Sequence, residues 1–451
     1  MLGKSKPPEP AKEKDFKIAP QPGKPAVPQP VSLPQALKEP RLVSLDAFRG
    51  AVMLLMASAG FGMAKVVKNL EAAGAAADDF GLRTARFWAW QLEHVAWTGG
   101  VLWDMIQPAF MFMVGAALPY SYARRAALGQ SYFGRLTHAA VRAVALVLLG
   151  VFLSSRDDRT NWIFPNVLAQ IGLGYLFVFV LVNKPRWLQV GALVLVLGAS
   201  WYAFRGHPLP SEGFDYATVG VPSAEQAECV LPGDFGHWSK NTNFAAEQDR
   251  VILNWFPRSE PFVFNSGGYA TLNFVPSIAT MLLGLMAGEL LRSNRTPKEK
   301  LARLLAAGVV CLALGLAAGY TVCPIVKRIW TPSWALYSGG YVLAALGAFY
   351  ALFDVAGFRR LALPLAVVGT NSFLVYMKTQ GPKPGTARTQ HINLDEPYRK
   401  FTEWLTTQTG YVLDPRLFGG ASGPIFESLG VLCVFWIVCA WLYRQRLFVR
   451  L

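Results

Sequence analysis

The residues of this chain best suited to chemistry are a histidine and an aspartate, His94 and Asp104, ten positions apart. The apolar run around them predicts a membrane-spanning helix, with His94 at its mouth and Asp104 about two turns inside it. An ionisable side chain at membrane depth requires a partner and marks a functional site by default. Because histidine exchanges protons near neutral pH, we expect His94 to handle a proton.

Asp104 shares one face of the predicted helix with Gln107, and a buried carboxylate there needs a hydrogen-bond donor. The imidazole of a histidine is a suitable donor, because a carboxylate bound to one ring nitrogen fixes the tautomer. A structural role for Asp104, bonded to backbone or to an asparagine, is the alternative.

A second pair of charges, Asp46 and Arg49, opens the first apolar run within Ser44-Leu45-Asp46-Ala47-Phe48-Arg49-Gly50. Residues three apart lie on one helix face, so the two side chains can form an ion pair. The pair either caps the cytoplasmic end of the span or receives a phosphate-bearing ligand through Arg49.

The densest polar run of the chain lies between two apolar segments and contains Trp238, Asn241, Asn243 and Asp249. An aromatic face beside amides and carboxylates is typical of a carbohydrate site, where the ring stacks and the polar groups bind hydroxyls. The same residues could instead fold the loop over the helices, and composition does not decide between the two interpretations.

Lys327, Arg328 and Trp330 precede a later apolar run. Cations and tryptophans at a membrane interface form an anchoring belt, or they bind an anion. Asn371 stands inside another apolar run, where its amide can bridge two helices.

The composition around these residues is that of a membrane protein, with 53% hydrophobic and 16% charged residues in 451. A spanning helix needs roughly 20 apolar residues, and about ten segments meet this criterion. These predicted spans are 46–66, 101–123, 138–155, 163–183, 187–204, 271–291, 303–323, 331–353, 361–377 and 425–443. We therefore predict an all-α polytopic membrane protein.

The net charge of +15 is distributed as the positive-inside rule predicts, on short connectors at one side of the membrane. This charge distribution assigns both termini to the cytoplasm and the segments 205–270 and 378–424 to the outer side. It also disfavours nucleic acid as a partner.

Residues 1–40 are rich in Pro and Lys and lack the apolar core of a signal peptide, which predicts a disordered cytoplasmic tail.

The five cysteines do not indicate a metal site, because no CxxC or outer pair is present. Cys229 alone falls in an outer segment. It is either a thioester-forming nucleophile or, as the favoured alternative, a loop cysteine without a chemical role. The large outer segment has no Asn-x-Ser/Thr acceptor, which favours a bacterial inner membrane.

Seven blocks of sequence, in order, resemble the heparan-α-glucosaminide N-acetyltransferase family, with bacterial members most similar. The blocks are SLDAFRG (44–50), EHVAWTGGVLWDMIQPAFMFMVG (93–115), GDFG (233–236) with NTN and DR after it, NFVPSIATMLLGLMAGE (273–289), PIVKRIWTPSW (324–334), GTNSFLVYM (369–377) and WLYRQRLF (441–448). Together they extend over most of residues 41–451, which the resemblance identifies as one transmembrane acyltransferase domain.

The resemblance implies transfer of acetyl from cytoplasmic acetyl-CoA to an amino sugar or glycan hydroxyl on the other side, without a metal. It identifies His94 as the catalytic residue, acting as acetyl-imidazole or as general base, with Asp104 as its catalytic partner that orients it or stabilises its cation. It also suggests a homodimer. The remaining expected roles are sugar binding by Asn241, Asn243, Asp249, Trp238, Trp330 and Asn371, oxyanion stabilisation by Lys327 and Arg328, and cofactor binding by Asp46 and Arg49.

Two departures from the family pattern limit what it implies. Animal members carry an asparagine in the outer half of the first span, where this chain has Gly60 near Ser58. The polar segment 378–400 matches nothing in the family and is expected to remodel the outer mouth.

Two other functions fit the same scaffold. One is a transporter of a glycan or lipid precursor, which predicts inverted repeats between the halves of the chain, and none is evident. The other is a non-catalytic subunit of a membrane complex, which would tolerate loss of His94 and Asp104, yet both are present.

Overall fold

The computed structural model describes residues 42–155, 160–380 and 421–448. The predicted tail at 1–40 and residues 381–420 of the second outer segment lie outside the described residues. Within the described ranges all regular elements are helices, apart from one isolated bridge between Thr98 and Val326.

The helices follow one another with short connections in the first part of the chain. They are α1 (Val43–Ala57), α2 (Met63–Ala72), α3 (Phe80–Gln91), α4 (Ile106–Ala127), α5 (Tyr132–Ser154), α6 (Val167–Val180) and α7 (Arg186–Arg205). The later helices are α8 (Ser223–Cys229), α9 (Phe244–Ile252), α10 (Phe274–Arg292), α11 (Pro297–Thr321), α12 (Pro332–Tyr350), α13 (Arg359–Thr370), α14 (Ser372–Gln380) and α15 (Gly423–Arg444).

Seven stretches of the described chain are long and apolar enough to cross a membrane. They are Val43–Ala72, Tyr132–Ser154, Arg186–Arg205, Thr271–Arg292, Pro297–Thr321, Pro332–Val355 and Gly423–Arg444. The remaining predicted spans are helical too, but α4 is less apolar, α6 has 14 residues, and the ninth is divided between α13 and α14. The predicted class, an all-α polytopic membrane protein, is confirmed, and the number ten stays a prediction.

The first predicted span, 46–66, is not one continuous helix. A 3₁₀ turn over Ala59–Gly62 separates α1 from α2, and Gly60 and Phe61 in it adopt left-handed backbone angles. A Cβ at Gly60 would stand 3.0 Å from the Leu92 carbonyl, so the turn packs directly against the segment that leads to His94. The bend therefore places the end of α1 beside the candidate site.

Small residues allow the central helices to approach closely. A Cβ at Gly115 of α4 would stand 1.9 Å from the Met281 carbonyl of α10, and one at Gly284 would meet the Phe112 carbonyl at the same distance. Such contacts between backbones are how helices associate in lipid, where the hydrophobic effect does not drive them together. The α4–α10 pair therefore forms a closely packed centre.

The starts of α4 and α12 lie at one end of this bundle, because Gly100 packs on the Trp334 ring. The start of α1 lies near the other end of α12, since the Ser44 amide donates to Asp354 Oδ2 at 3.1 Å. Asp46 and Arg49, near that start, are therefore about 20 Å from the end at which α1 meets Leu92, at 1.5 Å per helical residue.

The segment 205–270 contains the helices α8 and α9 and has its own apolar core. The members of this core include Trp97, Cys229, Trp238, Val326 and Ile329. Because Trp97 and Val326 come from the loops before α4 and α12, the segment packs directly on the end of the bundle that carries His94.

Candidate functional site

His94 and Asp104 are joined by a hydrogen bond of 2.6 Å between Nδ1 and Oδ1. The His94 side chain is 43% exposed, whereas that of Asp104 is 1% exposed. The buried carboxylate therefore holds an imidazole whose other nitrogen, Nε2, is the one left to meet a substrate.

The predicted depth of Asp104 is wrong. Asp104 lies in a 3₁₀ turn, Leu102–Met105, that precedes α4, and His94 lies in the irregular segment before it. Gly99 has a φ of 97°, a backbone angle that residues with a Cβ rarely adopt, and it turns the chain back at this point. The segment folds over itself, so the two residues meet across a loop instead of along a helix.

Lys327 completes the site from a distant part of the chain. Its ammonium donates to Asp104 Oδ1 at 3.0 Å and lies 3.1 Å from His94 Nδ1. Its side chain is 6% exposed. Burial lowers the pKa of the Lys327 ammonium below its usual range, and the Asp104 carboxylate opposes that shift.

The loops that carry His94 and Lys327 are joined by backbone hydrogen bonds. The Gly99 amide donates to the Ile325 carbonyl at 2.8 Å, beside the bridge between Thr98 and Val326. The Thr331 hydroxyl accepts the Val326 amide at 3.0 Å and so shapes the loop before α12. This pairing determines the distance between Lys327 and His94.

The second oxygen of Asp104 faces the backbone of its own loop. The amides of Val95 and Val101 each lie 3.4 Å from Oδ2. With Oδ1 bound to His94 and Lys327, both carboxylate oxygens have partners. The geometry favours a proton on His94 Nδ1, which Asp104 accepts, and a lone pair on Nε2.

Arg328 makes hydrogen bonds within the segments around His94, but none of them is to the His94 imidazole. Its guanidinium donates to the carbonyls of Gly267 at 2.8 Å and Val95 at 3.2 Å, and it lies 5.7 Å from the centre of the Tyr269 ring. Its own carbonyl accepts a hydrogen bond from Asn273. Arg328 therefore ties the segment next to His94 to the segment before α10.

Neither predicted stacking tryptophan offers an open ring face in this structure. Trp238 and Trp330 are each 1% exposed. The Trp238 carbonyl accepts a bond from Trp97 at 3.0 Å, and the Trp330 indole donates to Thr280 at 3.2 Å. The Trp330 ring belongs to the core of the bundle and the Trp238 ring to the core of the segment 205–270. Their predicted contact with a sugar stays a prediction.

The predicted sugar-binding amides are used within the protein. Asn241 donates to the carbonyls of Val219 at 2.8 Å and Asn265 at 3.0 Å. Asn243 donates to Ser239 at 2.8 Å, and its oxygen caps α9 by accepting the Ala246 amide. These contacts match the alternative interpretation in which the residues fold the loop, and sugar binding by them stays a prediction.

Asp249 is buried in the same way and accepts the Thr271 amide at 3.0 Å. Burial raises the pKa of this carboxyl to about 6, although the Thr271 hydrogen bonds oppose the shift. Asp249 therefore joins α9 to the turn that begins α10 and has no direct contact with His94, Asp104 or Lys327 among its hydrogen bonds.

The other predicted ligand residues lie away from His94. Asp46 and Arg49 form the expected ion pair at 3.8 Å, near the start of α1. Asn371 is buried at the junction of α13 and α14. Cofactor binding by the first two and substrate binding by Asn371 stay predictions.

Sequence reasoning did not single out Trp103, whose ring meets His94 edge-on with centroids 6.5 Å apart. Its position beside Asp104 was the sequence signal that could have identified it.

Ser58, near the family's asparagine position, is buried and donates to the Leu55 carbonyl at 2.7 Å. No group of His, Cys, Asp and Glu able to hold a metal occurs in the described part of the chain.

Two curated proteins show what this chain is similar to. The heparan-alpha-glucosaminide N-acetyltransferase of Homo sapiens is 25% identical over 397 residues, 77% of this chain and 54% of the human protein. Its counterpart in Mus musculus is 24% identical over 387 residues, 75% of this chain and 53% of the mouse protein. The chain thus spans about half the length of the curated relatives it matches. No protein-family model matches it.

Proposed function

We propose that this protein is a membrane acyltransferase with His94 as its catalytic residue. Both similar curated proteins support the resemblance to the heparan-α-glucosaminide N-acetyltransferase family. The observation that carries the proposal is the buried Asp104 bonded to a half-exposed His94, with Lys327 on the same carboxylate. The donor is acetyl-CoA, and the acceptor is an amino sugar or glycan hydroxyl reached from the opposite side of the membrane.

His94 acts through Nε2, because Nδ1 is held by Asp104. In one route Nε2 removes a proton from the acceptor amine or hydroxyl as that group attacks the thioester carbonyl, and the CoA thiolate leaves. In the other, Nε2 attacks the thioester carbonyl and expels the CoA thiolate. The acceptor then attacks the acetyl-imidazole, the bond from carbon to Nε2 breaks, and Nε2 takes the proton of the acceptor. The imidazole becomes positively charged in both routes, and the Asp104 carboxylate stabilises that charge.

Lys327 positions this pair. Its ammonium lies on the Nδ1 side of the imidazole and neutralises Asp104 in a buried environment. A buried carboxylate without a partner is costly, so the lysine keeps Asp104 ionised at the site. The predicted oxyanion role of Lys327 would require its ammonium to leave Asp104, and that role is retained only as an alternative.

The donor and acceptor must meet at His94. Asp46 and Arg49 lie near the far end of α1, about 20 Å from the end that meets Leu92. If they receive the phosphates of acetyl-CoA, as proposed from the sequence, the acetyl-CoA molecule must extend along the bundle for its thioester to reach His94.

The location of the protein in a bacterial inner membrane, with both termini cytoplasmic, belongs to the same proposal.

The test is transfer of labelled acetyl from acetyl-CoA to a panel of amino sugars and glycans by the protein purified in detergent. His94→Ala should abolish transfer, and the exposed neighbour Glu93 provides the matched control as Glu93→Gln. Label retained on the protein without acceptor would support the acetyl-imidazole route. Absence of acetyl-CoA binding and of transfer to any acceptor would refute the enzyme and favour a non-catalytic subunit.

A further inference from the structure

A second group of basic side chains, each half-buried, lies between helices away from His94. Arg125 comes from the last turn of α4, and His138 and Arg142 come from the first half of α5. The hydroxyl of Tyr175, on α6, lies beside them. We call Arg125, His138 and Arg142 the basic cluster.

The hydrogen bonds of the basic cluster leave donors without acceptors. Arg125 Nη2 lies 2.6 Å from His138 Nε2, which must accept the bond because a guanidinium can only donate. The proton of the neutral ring is then on His138 Nδ1. That atom is buried without a hydrogen-bond partner, as is Nε of both Arg125 and Arg142.

The terminal nitrogens of the two arginines meet only neutral groups. Arg142 Nη1 donates to the Tyr175 hydroxyl at 3.1 Å, and its guanidinium lies 5.1 Å from the centre of that ring. Arg125 Nη1 lies 3.4 Å from Gln130 Oε1. Among the described residues, no carboxylate lies within 4.0 Å of either guanidinium.

The depth of the cluster makes this excess charge significant. Arg142 is ten residues from the start of α5, which is about 15 Å along a helix that is long and apolar enough to span the membrane. A charged side chain at such depth is expensive unless an opposite charge accompanies it. Two guanidiniums with one unsatisfied Nε each, beside an unsatisfied His138 Nδ1, therefore indicate a missing anion.

The basic cluster is distinct from the site of His94. α4 has 22 residues, beginning next to Asp104 and ending near Arg125, so its length of about 33 Å separates the two places. An anion bound here would approach from the end of the bundle opposite His94.

We propose that Arg125, His138 and Arg142 bind a phosphate group. Guanidiniums match the geometry of phosphate oxygens, and His138 Nδ1–H with the two Nε–H groups adds three more donors. The phosphate belongs either to the headgroup of an anionic phospholipid or to a soluble phosphate ester entering from the same side. This proposal does not depend on acetyl transfer by His94.

The experiment measures binding to the full-length protein reconstituted in nanodiscs. One arm compares discs of phosphatidylcholine with discs containing phosphatidylglycerol, using the thermal unfolding midpoint. The other arm titrates adenosine 3′,5′-bisphosphate by calorimetry in phosphatidylcholine discs. Arg125→Gln/Arg142→Gln is the test variant, and Arg124→Gln, which removes one positive charge from an exposed neighbour by the same substitution, is the control.

We expect one of the two ligands to bind the wild type and the Arg124→Gln control equally, and the double variant about tenfold more weakly. A response to phosphatidylglycerol identifies a lipid site, and a response to the bisphosphate identifies a soluble ester. Should the double variant not fold, His138→Gln provides the same comparison by removing the Nδ1–H donor. The proposal is overturned if the wild type binds neither ligand or if the cluster variants bind as well as Arg124→Gln.

Discussion

Lys327 donates to Asp104 Oδ1 at 3.0 Å although 223 residues separate the two in the sequence. Both side chains are almost fully buried, and the same Asp104 oxygen accepts a bond from His94 at 2.6 Å. The carboxylate is therefore shared between a charged partner that stabilises it and an imidazole that it orients. Replacing Lys327 should therefore mainly lower stability, whereas replacing His94 should mainly lower activity.

On the proposed function, Asp104→Asn should reduce kcat of acetyl transfer by about 10⁴-fold and change KM little. An amide preserves the shape of the side chain, but it has no negative charge to stabilise an imidazolium, and its NH2 group facing His94 favours the wrong tautomer. Steady-state kinetics on the purified variant, with Glu93→Gln as control, measure this. Retention of wild-type kcat would contradict the role given to Asp104.

Lys327→Met should lower the free energy of unfolding by about 3–5 kcal/mol, because it leaves the Asp104 carboxylate buried without its cation. Adding Asp104→Asn to this variant should recover much of that loss without restoring activity. Thermal unfolding of the two single variants and the double variant in detergent gives the coupling between the residues. Additive losses in the double variant would show that the contact does not stabilise the site.

The Asp249 carboxyl should make stability depend on pH. Its pKa is raised to about 6 in the folded protein by burial, so the protonated form is favoured by folding. This contribution is fully present below the unfolded pKa of about 4 and is lost as the pH rises through 6. The expected loss is on the order of 2–3 kcal/mol.

Unfolding midpoints between pH 4 and pH 7 test this expectation. Asp249→Asn keeps an acceptor for the Thr271 amide and should remove the dependence, whereas Asp234→Asn changes an exposed carboxylate and should leave it in place. Identical pH profiles for wild type and Asp249→Asn would refute the assignment.

Gly115→Ala should destabilise the bundle strongly, by more than about 3 kcal/mol, because its Cβ would stand 1.9 Å from the Met281 carbonyl. Gly198→Ala is the matched control on α7, where a Cβ meets nothing within 4 Å. That control should be neutral or stabilising by up to about 1 kcal/mol, since alanine favours helix over glycine. Equal unfolding midpoints for both variants would argue against the close approach of α4 and α10.

The sequence by itself determined the class of the protein and the choice of its principal residues. Apolar length is a local property, so the helices of the bundle could be predicted from composition and period without knowledge of the fold. His94 and Asp104 could be selected because charged and titratable groups are expensive beside apolar runs. The seven ordered blocks indicated a resemblance to the family whose name both similar curated proteins carry.

Local signals were insufficient where the backbone departs from regular helix. The predicted first span is divided because Ala59 and Phe61 adopt positive φ, which non-glycine residues do uncommonly. Asp104 was placed inside α4, whereas a 3₁₀ turn precedes that helix. The first departure packs against another segment, Leu92 against Gly60, and in the second Asp104 is bonded to Lys327 from a distant part of the chain.

Only the tertiary structure decided which residues meet. The proximity of Lys327 to His94 depends on the pairing of Thr98 with Val326, far apart in the chain, and sequence pattern does not encode such a contact. Burial also separated candidates with equal composition, since Asn241 and Trp238 are used inside the loop while His94 remains open. A side chain's chemistry is set by its own atoms, but its partners and its access to substrate are set by the segments packed around it.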